Sequence, residues 1–509
     1  MIRMQHFLVL LAWATTVIGG FVRAEELPNI VVILADDLGY GDVRCYNDQS
    51  RVPTPNIDQL AQQGMMLMDA HSPSTVCTPT RYSLLTGRMA FRTGQAGVFT
   101  GAGGPCLIEA DRLTLPQMLK DRGYATACFG KWHIGMTFFD PDGKAIHQGG
   151  LEAVKRIDYS RRIPDSPIHR GFDSFFGTVC CPTTDWLYAY VDGDRIPVPP
   201  TQIVDRGPLP KHPYARDNRP GMIAPNFDLE SVDLVFLEKS QSFLREHIAQ
   251  HPEQPFFLFH SAQAVHLPSF AAKRFQGKTN AGPHGDFIHE LDYIVGELIK
   301  TLEQLGVADN TLVLFSSDNG PEVTSVVHMR KDHQHDGARP WRGMKRDQWE
   351  GGHRVPFIAR WPGKIKADSV SYHTVSLTDV MSTSAAIVDV SLPQDAAEDS
   401  FNILPILRNG DEAEAVRRYT LQQTISLALS IRRGDWKYLD HQGSGGNNYQ
   451  RPSLQRFAIV DSQPEAPGQL YNLAKDPGET INLYFEHPEI VKELKSQLDA
   501  FKRSGRSRP

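Results

Sequence analysis

Cysteines, long apolar segments and an excess of charge of one sign are all scarce in this sequence. It has 6 cysteines among 509 residues, too few for a disulfide scaffold, and no two of them have the spacing of a zinc knuckle. A net charge of −6 creates no field that would attract nucleic acid. Beyond the first residues, no stretch is long and apolar enough for a membrane helix. These scarcities exclude a disulfide-rich module and argue against nucleic-acid binding and stable membrane insertion.

The first 24 residues are typical of a signal peptide. Arg3 supplies positive charge, and the apolar run over residues 7–20 is too short to span a bilayer as a helix. Val22 and Ala24 fit a small-residue cleavage site at the end of this segment. The pattern predicts an exported protein, periplasmic or secreted, with an uncleaved N-terminal anchor as the alternative.

Four short apolar runs alternate with amphipathic helical patterns. The runs have the length and composition of buried parallel strands and cover residues 30–34, 124–129, 256–260 and 311–316. The clearest helical patterns cover residues 228–250 and 286–305. This alternation predicts an α/β fold in which helices sandwich a large, mostly parallel sheet.

Polar residues follow each of these predicted strands. The carboxyl ends of parallel strands meet at one edge of a sheet, where α/β proteins bind their ligands. We therefore expect that edge to carry Asp36, Asp37, Lys131, His133, His266, Asp318 and Asn319. Long loops rich in proline and glycine over residues 140–225 are expected to cover the same edge.

The pattern changes near residue 410. Strand-like segments and a final helix are predicted at residues 427–432, 435–439, 469–473 and 488–502. They indicate a smaller C-terminal α+β domain over residues 411–509, with an antiparallel sheet and a helix, beside a larger domain over residues 25–410. The basic tail over residues 502–509 is expected to be disordered.

Cys77 differs from the other cysteines because of the residues that follow it. Pro79 suits the first position of a helix, with Thr78 as its N-cap. The Cys77 thiol would then lie at a helix N-terminus, where free amides and the helix dipole favour an anion. Arg81 stands one turn further along and can reach back toward it. The segment therefore predicts a reactive thiol with a low pKa.

The run Cys77-Thr78-Pro79-Thr80-Arg81 resembles the Cys-x-Pro-x-Arg signature of type I sulfatases, which belong to the alkaline phosphatase superfamily. Most of these enzymes have Ser where Thr80 stands, while the Cys, Pro and Arg of the signature are present. The resemblance extends from about residue 27 to residue 480 through motifs at residues 29–40, 54–58, 130–133, 318–320 and 343–356. It implies an arylsulfatase-like hydrolase of sulfuric esters with an alkaline-phosphatase-like catalytic domain over residues 25–410.

The resemblance also implies that a formylglycine-generating enzyme oxidises Cys77 to formylglycine (3-oxoalanine). One hydroxyl of the hydrated aldehyde, a geminal diol, would attack sulfur, and loss of a proton from the other would later expel sulfate. One Ca²⁺ per chain is implied as well, with Mg²⁺ possible. Its implied ligands are the formylglycine from Cys77, Asp36, Asp37, Asp318 and Asn319. A set made of oxygens suits such a hard cation.

The family's catalytic roles fall on five further positions of this sequence. The resemblance makes Arg81 and Lys131 the cations that orient the formylglycine. It makes His133 the base that takes the proton of the diol. His266 and Lys345 match residues that bind the sulfate group, and His266 can also protonate the leaving oxygen.

Two features leave alternatives open around this site. His333, His335 and Asp336 lie close together and make zinc an alternative metal, although a surface loop is the favoured interpretation of that cluster. Four residues are candidates either for the pocket wall or for packing and surface roles: Trp186, His335, Arg339 and Arg342.

Other functions are compatible with parts of the pattern. They are a phosphonate monoester or phosphodiester hydrolase of the same superfamily, an enzyme that uses unmodified Cys77, and a catalytically dead binding protein. The complete set of metal and cation positions argues against a dead protein, and His133, His266 and Lys345 favour sulfate over phosphodiester. Export and long loops favour a sulfated carbohydrate as substrate, while the sugar, the sulfate position, exo or endo action and the oligomeric state stay open.

Overall fold

The structure of the protein is a computed structural model that describes residues 26–147 and 149–509. The predicted signal peptide over residues 1–24 lies outside the described residues. The strands are β1 (Asn29–Ala35), β2 (Met65–His71), β3 (Ala125–Lys131), β4 (Phe138–Phe139), β5 (Ala145–Ile146), β6 (Ser174–Thr178), β7 (Leu187–Tyr188), β8 (Val191–Asp192), β9 (Gln202–Ile203), β10 (Met222–Ile223), β11 (Phe256–Ser261), β12 (Thr311–Ser317), β13 (Phe357–Arg360), β14 (Ser369–Ser376), β15 (Thr420–Gln423), β16 (Leu429–Arg433), β17 (Trp436–Leu439) and β18 (Gln469–Asn472). The α-helices are α1 (Pro55–Gln62), α2 (Cys77–Thr86), α3 (Leu115–Asp121), α4 (Leu151–Lys155), α5 (Val232–Gln250), α6 (Gly282–Gln304), α7 (Val323–His333), α8 (Glu350–His353), α9 (Asp379–Ile387), α10 (Leu404–Asn409), α11 (Pro452–Gln455) and α12 (Pro488–Ser504).

The large sheet has nine strands in the order β14-β2-β13-β12-β1-β11-β3-β6-β8. β1 pairs in parallel with β12 and β11, and the parallel run continues from β11 through β3 to β6. β13 runs antiparallel to both of its neighbours and β8 runs antiparallel to β6, whereas β14 pairs in parallel with β2. This topology confirms the predicted large and mostly parallel sheet of an α/β fold.

Both faces of this sheet are covered, as the unbroken apolar composition of β1 requires. Side chains alternate along a strand, so Val32 packs in the core on one face and Val31 in the core on the other. α1 and α6 contribute to the second core, and α2, α3 and α9 contribute to the first. None of the helices in the described part of the chain combines the length and apolar character that a bilayer crossing requires.

Each of the four predicted strands is present and slightly longer than predicted. β3 was expected at residues 124–129 and extends to Lys131 because its ladder with β11 continues through Gly130. Gly130 has a φ of +122°, and a Cβ there would lie 1.8 Å from the Ser261 carbonyl oxygen. A glycine at position 130 thus allows β3 to stay paired with β11 through this residue. Lys131, the next residue, then lies at the edge of the sheet.

The second sheet has four antiparallel strands in the order β15-β16-β17-β18. α12 packs on it through Val491, Leu494 and Leu498, which share a core with Ile431 and Leu470. β16, β17, β18 and α12 confirm the predicted antiparallel sheet with a final helix, and β15 is an additional strand. The predicted boundary between the two domains stays a prediction.

The basic tail differs from the disorder expected for it. α12 continues to Ser504, and the chain beyond it lies along the loop that contains Glu398. The backbone N–H groups of Ser507 and Arg508 both donate to the Glu398 carbonyl oxygen, at 3.0 and 3.1 Å. The Arg508 guanidinium donates to the Pro393 carbonyl oxygen at 2.9 Å. Bonds to protein carbonyls therefore replace the hydration that a free tail would have.

The second sheet also supports the segment that precedes Cys77. Gln423 in β15 forms a parallel bridge with Ser74. Its N–H donates to the Pro73 carbonyl oxygen at 3.0 Å, and the Thr75 N–H donates to the Gln423 carbonyl oxygen at 3.0 Å. Backbone bonds from the C-terminal sheet thus help to position Cys77.

A buried ion network around Lys437 joins the second sheet to α8. Its ammonium lies 3.0 Å from the Glu350 carboxylate, 2.9 Å from the Glu479 carboxylate and 3.0 Å from Nε2 of His353. The three charged side chains are at most 1% exposed. Removing Lys437 would leave two buried carboxylates without the cation that they share.

Replacing Lys437 with methionine is expected to lower the free energy of unfolding by about 3–5 kcal/mol, because breaking a buried pair leaves uncompensated charge. Chemical denaturation measures this change. Lys495→Met is the matched control, since Lys495 pairs with Asp440 at 2.7 Å on the surface, where a loss below about 1 kcal/mol is expected. Similar losses in the two variants would contradict a structural role for the buried network.

Candidate active site

A cleft of about 160 Å³ opens at the edge where the carboxyl ends of the parallel strands meet. β1 leads into Asp36 and Asp37, and β12 leads into Asp318 and Asn319. The structure brings together all of the residues predicted for the site: Asp36, Asp37, Cys77, Arg81, Lys131, His133, His266, Asp318, Asn319 and Lys345. Their positions agree with the expectation for a parallel sheet, and their individual roles stay predictions.

Cys77 is the first residue of α2, a helix whose residues are all buried. The helix begins two residues earlier than predicted, and Thr78 does not cap it, because the Thr78 hydroxyl donates to the His133 carbonyl oxygen at 2.8 Å. Burial alone would raise the pKa of the Cys77 thiol. The hydrogen bond with Cys181 and the neighbouring His133 and Lys131 nevertheless hold this pKa well below its ordinary value. The environment is that of the reactive thiol predicted from the sequence.

Two carboxylates lie close to the Cys77 sulfur. Carboxylate oxygens of Asp36 and Asp318 lie within 4.8 Å of that sulfur and of each other. Among the described residues, Oδ1 of Asp36 and Oδ1 of Asn319 are buried and have no hydrogen-bond partner. The Asn319 amide is oriented by its N–H group, which donates to Asp37 at 2.7 Å. Buried acceptors without partners are costly, and these residues fit a hard divalent cation such as Ca²⁺ or Mg²⁺.

Arg81 and Lys131 supply buried positive charge on one side of this cluster. Arg81 donates from Nε and Nη2 to Oδ2 of Asp318 at 3.0 and 2.8 Å, and from Nη1 to the Lys131 carbonyl oxygen at 3.0 Å. The Lys131 ammonium pairs with Asp36. Burial alone would lower the pKa of Lys131, but the Asp36 carboxylate raises it well above its ordinary value, so the ammonium keeps its charge.

Lys345 supplies positive charge on another side. Its Nζ lies 2.7 and 2.8 Å from the two oxygens of Asp37 and 3.6 Å from Glu322. Arg346 donates to both oxygens of Glu322 at 2.9 and 2.7 Å. Glu322 and Arg346 were not predicted as site residues, although each is close in sequence to a predicted one. Glu322 therefore neutralises the charge of Arg346, and the main partner of Lys345 is Asp37.

The two predicted histidines present ring nitrogens to the centre of the site. Nε2–H of His133 donates to the Phe99 carbonyl oxygen at 2.8 Å, which leaves Nδ1 as the acceptor nitrogen. Nδ1–H of His266 donates to the Leu267 carbonyl oxygen at 2.6 Å, and its Nε2 lies 3.7 Å from Asp37. Burial lowers the pKa of His266, with Lys345 adding to the shift. One histidine is therefore oriented as a base and the other faces the oxygen cluster.

Part of the cleft wall comes from the loop region that was expected to cover the edge. Cys181, Asp185 and Arg219 line the cleft. The Cys181 sulfur lies 3.9 Å from Nδ1 of His133 and 3.7 Å from Nε2 of His266. Of these three, only Cys181 could have been found from the sequence, because it follows the short strand β6. It was missed because β6 was not among the predicted strands.

The four candidates that depended on neither motif nor strand end are not lining residues of the cleft, although Trp186 packs against the lining residue Arg219. Among the described residues that line the cleft, Trp186, His335, Arg339 and Arg342 are absent. His335 pairs with Asp42 at 2.7 Å, and Arg342 lies over the Trp349 ring at 3.5 Å. His335 also accepts the Arg51 N–H, so both of its ring nitrogens are occupied. Within the described ranges His333, His335 and Asp336 form no metal-binding cluster, and the zinc alternative has no support.

Comparison with known proteins gives a consistent result. The family model described as Sulfatase matches residues 28–390. An N-acetylgalactosamine-6-O-sulfatase of Bacteroides thetaiotaomicron is 32% identical over 505 residues, which cover 94% of each chain. Arylsulfatase A of Homo sapiens is 30% identical over 93% of this chain and 88% of its own.

Solved structures agree with the sequence relatives. A Bacteroides thetaiotaomicron structure described under the metabolism of multiple glycosaminoglycans has a TM-score of 0.77 and 30% identity, covering 94% of this chain and all of its own. A sulfatase from Pseudoalteromonas sp. has a TM-score of 0.69 and 26% identity, covering 95% of this chain and 92% of its own. The fold, the site and these relatives together show that the chain belongs to the sulfatase family and is a hydrolase of sulfuric esters.

Proposed function

We propose that this protein is a calcium-dependent sulfatase that removes sulfate from a sulfated carbohydrate with a formylglycine formed from Cys77. The observation that carries the proposal is the placement of the Cys77 sulfur within 4.8 Å of carboxylate oxygens of Asp36 and Asp318, at a strand end where Oδ1 of Asp36 and Oδ1 of Asn319 are buried acceptors without partners. A cation and a nucleophile derived from Cys77 would share this position. The same placement has no use in an enzyme that needs only a thiol.

The metal would be held by the oxygens of Asp36, Asp37, Asp318 and Asn319 and by the modified side chain at position 77. Three carboxylates, one amide oxygen and one further oxygen approach the six to eight ligands that Ca²⁺ takes, roughly, in proteins. When bound, the ion would supply Lewis-acid stabilisation of negative charge on the sulfuryl oxygens. Mg²⁺ stays the alternative ion.

The chain's own residues would divide the remaining work by position. Arg81 and Lys131 are fixed by carboxylates at the base of the cleft and would orient the nucleophilic side chain at position 77. His133 would take its proton at Nδ1, the ring nitrogen left free by the bond to Phe99. His266 and Lys345 line the cleft and would bind the sulfate, with His266 donating a proton to the leaving oxygen.

Sulfated carbohydrate is the substrate class favoured by the chain and its relatives. A relative that matches nearly the whole chain is named an N-acetylgalactosamine-6-O-sulfatase. One part of the cleft wall carries polar side chains, namely Thr184, Asp185, Asp217 and Arg219. An aryl sulfate would then serve as an artificial substrate.

We also propose export through residues 1–24, with a formylglycine-generating enzyme as the maturation partner.

Mass spectrometry of protein produced beside a formylglycine-generating enzyme tests the proposal. The Cys77 peptide is expected to lose one sulfur and two hydrogens and to gain one oxygen, and the exported chain is expected to start at Glu25. The same preparation should hydrolyse N-acetylgalactosamine 6-sulfate and 4-nitrophenyl sulfate faster than bis(4-nitrophenyl) phosphate. An unmodified thiol in an active preparation would point to thiol chemistry, and faster phosphodiester turnover would favour the phosphodiester hydrolase.

A further inference from the structure

Arg219 is a cation of the cleft wall that no part of the proposed reaction uses. It lines the same cleft as Cys77, and its side chain is 36% exposed. The other wall cations, Lys345 and Arg346, are paired with Asp37 and Glu322. Arg219 pairs through Nη1 with Asp185 at 3.2 Å, and no role in the proposed reaction accounts for its other donor groups.

The backbone of Arg219 is fixed in place. Its carbonyl oxygen accepts the Tyr188 hydroxyl at 2.8 Å and the Gly221 N–H at 2.8 Å. The preceding residue, Asn218, is buried and donates to the Thr183 carbonyl oxygen at 2.7 Å. These bonds fix the point on the cleft wall from which the Arg219 side chain extends.

The guanidinium is also oriented by its neighbours. Nη1 donates to Oδ1 of Asp185 at 3.2 Å, and the guanidinium carbon lies 5.5 Å from the Trp186 ring centroid. Asp185 is 2% exposed and accepts the backbone N–H groups of Gly101 and Cys181 at 2.9 and 3.2 Å. Because the Cys181 sulfur in turn lies 3.9 Å from Nδ1 of His133 and 3.7 Å from Nε2 of His266, this chain of contacts places Arg219 next to the reacting centre but outside it.

Two donor groups of Arg219 remain available to a ligand. Within the described part of the chain, Nε and Nη2 make no hydrogen bond, and the side chain faces the cleft. Asp185 is paired with the same guanidinium, and the exposed carboxylate of Asp217 lines the same wall. Donors and acceptors thus stand side by side, a pattern that suits hydroxyl groups, which both donate and accept. A second sulfate would meet two carboxylates on this wall and is disfavoured.

We propose that Arg219 is a specificity-determining residue that binds ring hydroxyl groups of a sulfated sugar beside the ester, with Asp185 as the residue that positions it. This deepens the proposed function by naming how the cleft selects a sugar sulfate over an aryl sulfate. An aryl leaving group has no hydroxyl for Nε and Nη2 to bind. The contribution of Arg219 is therefore confined to substrates that carry a sugar ring.

A binding measurement tests this inference without relying on turnover. In protein carrying Cys77→Ala and supplied with Ca²⁺, calorimetry would measure the affinities for N-acetylgalactosamine 6-sulfate and for inorganic sulfate. Adding Arg219→Gln is expected to weaken the affinity for the sugar sulfate by roughly 10- to 100-fold, the effect of losing hydrogen bonds to a charged donor. Inorganic sulfate should bind as before, because it occupies only the position beside Cys77.

Arg162→Gln is the matched control, because Arg162 pairs with the buried Asp194 at 2.8 Å in the same loop region and does not line the cleft. It should leave both affinities unchanged. The inference is overturned if Arg219→Gln weakens both ligands equally, if it weakens neither, or if the parent protein binds the sugar sulfate no better than sulfate. Failure of the proposed function would instead appear as absent turnover in the protein with Cys77 intact.

Discussion

Replacing Cys77 with alanine is expected to lower kcat for 4-nitrophenyl sulfate by at least roughly 10⁴-fold, as removal of a nucleophile does in other covalent enzymes. Lys131, Arg81 and the carboxylates cannot take over, since they are engaged with one another. Burial raises the pKa of the nearby Cys181 thiol well above its ordinary value, so it is a poor substitute. The small side chain should leave α2 in place, because the helix is held by the packing of all its residues. Steady-state kinetics together with chemical denaturation measures both effects.

Cys45→Ala provides the matched control for this experiment. Cys45 is a thiol outside the cleft, partly buried against the core on the other face of the sheet. Its removal should change kcat by less than about threefold, in keeping with the small effects of substitutions remote from chemistry. A Cys77→Ala protein that retained near-normal turnover would remove the basis for the proposed mechanism. Loss of folding in that variant would instead make Cys77 a structural residue.

Removing calcium is expected to lower kcat by at least roughly 100-fold, which is the effect of losing one preorganised electrostatic contact in a transition state. A calcium-selective chelator applied to the purified enzyme tests this, and added Ca²⁺ should restore the rate. Calcium at about 100 times its Kd should also raise the free energy of unfolding by about 2.7 kcal/mol through linkage. Recovery with Mg²⁺ alone would assign the site to that ion.

Variants at two buried aspartates distinguish a specific calcium site from a general effect of removing buried negative charge. Asp318→Asn is expected to remove the calcium-dependent gain in unfolding free energy, because one carboxylate of the cluster is lost. Asp233→Asn should keep that gain, since Asp233 is also buried but belongs to none of the clusters of possible metal ligands in the described part of the chain. Activity indifferent to thorough chelation, or a calcium response that survives in Asp318→Asn, would argue against the proposed ligands.

The central strands could be predicted because burial on both faces makes them continuously apolar. β1 and β12 are buried along their whole length, and their runs of Val, Leu and Ile are visible without any structure. β14 is different: it lies at the edge of the sheet, half of it is only partly buried, and its sequence is rich in serine. Because β14 lies at the edge of the sheet, its sequence lacks the continuous apolar run by which the central strands were predicted.

The site could be predicted where residues follow such strands or belong to the motifs of the resemblance, the signature around Cys77 and the segment that contains Lys345. Arg219 could not be, because it lies on a loop that folds back over the edge and no local pattern relates it to β1 or β12. The tail that binds along the loop of Glu398 was missed for a related reason. Its hydrogen bonds are made by backbone groups, and the basic side chains that suggested solvation carry no information about them.

The bridge between Gln423 and Ser74 has a consequence for how the protein is made. Residues 420–423 are synthesised long after Cys77, so the backbone bonds that seat the segment before Cys77 cannot form until most of the chain has emerged. We expect the Cys77 thiol, which is 1% exposed in the finished fold, to be more accessible before these bonds form. The proposed modification of Cys77 would then be favoured early in the life of each molecule, before the C-terminal sheet is complete.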